Sequence, residues 1–103
     1  MGKIPDDRRE ITAFEQRRFA SNMSLFNRHL QDAQAATTYN PDRAYKHWGD
    51  VMHTLGYMEA SVEDYDLVMV STTVRIEHGE QLREARKLAD KVLRKLSSTH
   101  RFA

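Results

Sequence analysis

The chain has 103 residues, 40% of them apolar and 30% charged, with 16 Lys+Arg against 15 Asp+Glu. That fits one domain with a single small core, too apolar for a disordered tail. Cysteine is absent, which excludes disulfides, thiolate nucleophiles, zinc knuckles and iron–sulfur clusters and makes a reducing, cytoplasmic setting the expectation.

The longest apolar run, Leu67 to Val70, falls far short of the roughly 20 residues a membrane helix needs, and Met1 to Glu10 is too charged for a signal peptide. No membrane association is expected. Two prolines and four glycines punctuate the chain, with Pro5 near the start, Asn40-Pro41 before a new segment and Gly79 between two others.

The first predicted helix runs from about Asp6 to Ala36. At 100° per residue, Phe19, Met23, Phe26, Leu30 and Ala33 fall within an arc of about 80°, the rhythm of a buried helix face. Ile11, Phe14 and Leu25 point away from that stripe, so this helix carries a second apolar face. The second helix starts at Pro41: Asn40 is a good N-cap, Pro41 suits the first helical position, and Asp42 meets the positive end of the dipole. Ala44, Trp48, Val51, Met52, Leu55 and Met58 share an arc of about 120°, and the helix is expected to end near Ala60.

Val62 to His78 is ambiguous. Ser61 to Asp64 reads as a capping box with an acidic first turn, yet Leu67 to Ile76 is dense in β-branched residues. A strand needs a partner, and no second comparable run exists, so a third helix is the expectation. Gly79 suits a C′ position, and Glu80 to Leu96 forms a further helix whose Leu82, Ala85, Leu88, Ala89, Val92, Leu93 and Leu96 span about 140°. The prediction is an all-α fold, a compact bundle of three or four helices, in one domain over residues 1–103 with a frayed tail over 97–103. The alternative is α+β, with residues 66–77 as a strand pairing across a dimer. A shared core of Phe26, Leu30, Trp48, Met52, Leu55, Leu82, Ala89 and Val92 follows from the arcs.

No Gly-rich phosphate loop, nucleophile elbow or H-E-x-x-H sequence is present, so the chain is expected not to be an enzyme and to bind no small-molecule substrate. Asp50, His53 and Tyr57 stack a carboxylate, an imidazole and a phenol at i, i+3, i+7, but on the face opposite the core, where solvent reaches them. The five histidines, His29, His47, His53, His78 and His100, show neither i, i+4 nor E-x-x-H spacing. A metal would need ligands gathered from several helices, and neither metal nor cofactor is expected.

Charge is unevenly distributed: residues 1–41 carry +1, residues 42–78 carry −4 and residues 79–103 carry +4. On the last helix the basic side chains lie opposite the apolar arc. Glu80–Arg83, Glu84–Lys87, Arg86–Asp90 and Asp90–Arg94, at helical pair spacing, offset much of that field. The leading functional reading is therefore protein binding, by a regulator or inhibitor that contacts another protein or a second copy of itself. Its predicted surface is Ile11, Phe14 and Leu25, rimmed by Arg17 and Arg18. The alternative is a nucleic-acid-associated regulator using Lys91, Lys95 and Arg101 of the last helix.

Overall fold

A computed structural model describes residues 3–100 of the chain, with side chains over residues 9–98. It contains three helices, α1 (Lys3–Ala36), α2 (Pro41–Glu63) and α3 (Thr72–His100). The all-α prediction holds, with three helices rather than four and no strand among the described residues. No helix among them is long and apolar enough to cross a membrane.

The first boundary forms where sequence chemistry placed it. The Asn40 side chain accepts a hydrogen bond of 3.2 Å from the Arg43 backbone N–H, and Pro41 opens α2. The second boundary differs. Ser61 to Asp64 does not cap a new helix: Ser61 lies inside α2, where its hydroxyl donates to the Tyr57 carbonyl at 3.0 Å. The chain leaves α2 at Asp64 and turns through residues 64–71. Toward the end of that turn Met69 takes φ 63°, the left-handed region usually left to glycine. Without Gly or Pro in the segment, nothing in the sequence marks the turn.

Gly79, expected to end a helix, sits inside α3 with no positive φ. The helix persists because Val74, His78, Leu82, Ala85, Ala89, Val92 and Leu96 are all buried on one continuous face, and that burial outweighs a glycine penalty of about 1 kcal/mol. Of the expected tail over 97–103, Ser97 to His100 are helical as the end of α3, and residues 101–103 lie outside the described residues.

Short connections make α1–α2 and α2–α3 antiparallel hairpins, and the molecule is elongated, 64 × 17 × 15 Å. The core is laid out along this long axis. Phe19, Phe26, Leu30, Val51, Leu55, Met58, Leu82 and Ala89 are among the residues filling its middle, with Trp48 and Met52 packed against them. Ala36, Ala44 and Leu96 close the α1–α2 hairpin end. Tyr65, Val70 and Val74 fill the opposite end together with Ile11 and Val62. Leu88, a member of the predicted apolar arc of the last helix, is exposed and lines an open groove between α1 and α3 with Met23, Phe26 and Ala85.

Candidate protein-interaction surface

The end of the bundle holding the 64–71 turn concentrates exposed apolar side chains. Tyr65 and Val70 are buried at 1% exposure each and anchor the two shoulders of the turn, so the residues between them are carried outward. The Ser71 backbone N–H donates to Thr12 Oγ1 at 3.0 Å, fastening the turn to α1, and Arg75 pairs with Asp66 to fasten it to α3. The Val70 N–H closes the turn on the Tyr65 carbonyl at 2.9 Å. Leu67 at 81% exposure, Val68, Met69 and the facing Phe14 at 52% then line an open apolar groove whose walls also include Ile11, Glu10 and Glu15.

This arrangement redistributes the predicted surface. Phe14 lies in the groove. Ile11 borders it but is half-buried and belongs partly to the core, packed against Tyr65, Val70 and Val74. Leu25 is exposed, but 11 residues further along α1 it stands about 16 Å from Phe14 along the axis and forms no part of the groove. Arg17 is exposed. Arg18 is not a free rim charge: it donates to Ser61 Oγ at 2.9 Å, pairs with Glu15 at 3.3 Å and lies 5.6 Å over the Tyr57 ring. Leu67, Val68 and Met69 are the members that sequence reasoning missed, because a helical reading scattered them round a wheel. Their contiguous apolar run was the available signal.

Beneath the groove lies a buried polar group. Tyr65 Oη and His78 Nδ1 share a hydrogen bond of 2.8 Å, and the Phe19 ring stacks on His78 at 3.8 Å between centroids. Burial pushes the Tyr65 hydroxyl up to about 12, with Glu15 adding to the rise and Arg18 opposing it. Burial also lowers His78, against a smaller opposing effect of Glu77. Both groups are thereby held neutral at ordinary pH, and the pair links the turn to α3 inside the core.

The other predicted constellations come apart. His53 and Tyr57 are exposed, while the Asp50 carboxylate stands 3.9 Å from His29 Nδ1 on the neighbouring helix. On the basic face Lys91 and Lys95 are exposed, and Arg101 lies outside the described residues. Arg86, expected to pair with Asp90 within its own helix, instead reaches across to Glu59 of α2 with two hydrogen bonds of 3.0 and 2.6 Å. Those bonds raise the pKa of its guanidinium, burial opposing and the Glu59 and Asp90 charges adding to the rise. Lys87 donates to Glu84 at 3.2 Å, as its spacing predicted.

The histidines also meet partners that local spacing concealed. His29 and Asp32 of α1 face His47 of α2, with one ligand-capable atom from each lying within 4.8 Å of the others. Comparison with protein-family models, with curated proteins and with solved structures finds no match to this chain.

Proposed function

We propose that the chain is a protein-binding module, a regulator or inhibitor that docks a protein partner through the apolar groove of Phe14, Leu67, Val68 and Met69. The observation that supports the reading is the 64–71 turn itself. A left-handed Met69 costs about 1–2 kcal/mol that a glycine would avoid, and exposed Leu67 and Phe14 gain nothing from solvent. Yet the turn is fastened on both sides by Thr12 and Arg75. A built, rigid, apolar edge with Glu10 and Arg17 exposed nearby has the character of a binding face. The proposed setting is the cytoplasm, in keeping with a cysteine-free chain. The basic face of α3 supports nucleic-acid binding less well, because Arg86 and Lys87 are committed to Glu59 and Glu84.

The test is site-specific photocrosslinking from position 67 in the native cell, with position 91 as the comparison. Protein adducts, whether to a second copy or to another chain, are expected from position 67 and not from 91, and Phe14→Ser removes them. The same substitution changes stability by less than about 1 kcal/mol, as expected for a half-exposed side chain. Equal crosslinking from both positions, or a Phe14→Ser variant that loses several kcal/mol, would show that the groove is not a docking face.

A further inference from the structure

The α1–α2 hairpin brings together a set of donors that neither helix holds alone. His29 and Asp32 lie one turn apart on α1 and so share a face, and His47 meets them from α2; one ligand-capable atom of each lies within 4.8 Å of the others. A second observation falls on the same residues. Nδ1 of His29 and Nδ1 of His47 are both buried without a hydrogen-bond partner. A buried polar atom is ordinarily satisfied, and here two imidazoles facing one carboxylate share the same deficiency. The chain repeats one pattern on the two helices, His29-x-x-Asp32 and His47-x-x-Asp50. The second carboxylate is close as well, with Asp50 Oδ2 3.9 Å from His29 Nδ1.

We propose that His29, Asp32 and His47 form a binding site for a divalent transition-metal ion, zinc by its donor set, which clamps α1 to α2. Two imidazoles and one carboxylate are the nitrogen and oxygen donors zinc accepts, whereas calcium and magnesium require oxygen alone. Bonds of about 2.0–2.1 Å to tetrahedral zinc place ligand atoms roughly 3.3 Å apart, so the three donors close in by up to about 1.5 Å. His29 retains 24% side-chain exposure and Asp32 is exposed, which leaves room for that rotation and a route from solvent. Asp50 is placed either to complete the coordination or to orient His29 as an outer carboxylate.

The experiment is thermal unfolding of the untagged chain with and without zinc chloride, on the unmodified protein and on His29→Gln, His47→Gln, Asp32→Asn and His53→Ala. His53 is about 120° round α2 from His47 and serves as the control. Zinc at ten times its Kd is expected to raise Tm by about 5–10 °C in the unmodified chain and in His53→Ala. The rise is expected to vanish in the two His→Gln variants and to need at least tenfold more zinc in Asp32→Asn. Should a variant fail to fold, imidazole nitrogen spectra of the unmodified protein give the answer: zinc shifts the His29 and His47 resonances and leaves His53 in place. No rise in Tm with the unmodified chain, an undiminished rise in His29→Gln and His47→Gln, or shifts confined to other histidines would overturn the proposal.

Discussion

Tyr65 and His78 are each ionisable, and their burial makes stability depend on pH in two directions. His78 has a folded pKa below the ordinary 6.5, so the unfolded chain takes up its proton first. The stability it contributes is complete above 6.5 and is lost as pH falls from there through the lowered folded value. Tyr65 is raised from 10.0 to about 12; its contribution is complete below 10.0 and is lost as pH rises toward 12. Urea unfolding across pH is expected to show a plateau between these limits. Tyr65→Phe leaves His78 Nδ1 without its partner, costs about 1–3 kcal/mol at pH 7.5 and removes the alkaline decline. An unchanged urea midpoint in that variant would mean the hydrogen bond contributes nothing. None of this was legible from the residues. His78 has the composition of a surface position, and only the Phe19 ring stacked on it and the Tyr65 hydroxyl beside it make it an interior one. The same holds for Arg18, whose tie to Ser61 depends on a helix 43 residues away in sequence, although its pairing with Glu15, three residues back on the same helix, does not.

Helix boundaries divide into one that local chemistry wrote and one that it did not. Asn40 and Pro41 act within a few residues of themselves, so the start of α2 was readable in advance. The end of α2 falls at Asp64 in an ordinary right-handed conformation, and the turn beyond it carries Met69 in a conformation that its side chain disfavours, between the buried anchors Tyr65 and Val70. Gly79 presents the reverse case, a residue that weakens a helix locally and is overridden by the buried face on both sides of it. A Cβ added at Gly79 meets nothing within 4 Å, and its φ is not positive. Gly79→Ala is therefore expected to stabilise the chain by about 0.5–1 kcal/mol, read as a raised denaturant midpoint at unchanged slope. A loss of stability would show that α3 is interrupted there, as the sequence alone suggests.

Across the whole molecule, the middle of the core depends on α2 lying between its two neighbours. Trp48 shows how: its ring packs against the central cluster, and its indole Nε1–H donates to the Ala89 carbonyl of α3 at 3.2 Å. Trp48→Ala is expected to cost about 3 kcal/mol, a large fraction of the roughly 5–15 kcal/mol that holds a domain together. Calorimetry would report it as a fall in Tm of more than about 10 °C. A loss below 1 kcal/mol would place the α2–α3 contact elsewhere. The sequence by itself determined the helical class, the buried stripes of α1 and α2 and the hairpin at Asn40-Pro41, because periodicity and capping act over one or two turns. Tertiary structure alone decided that three helices suffice, that Leu67 to Met69 form an exposed edge with Phe14, and that His29, Asp32 and His47 meet. Those outcomes depend on contacts between residues far apart in the chain, and neither helical period nor local spacing encodes which faces a bundle brings together.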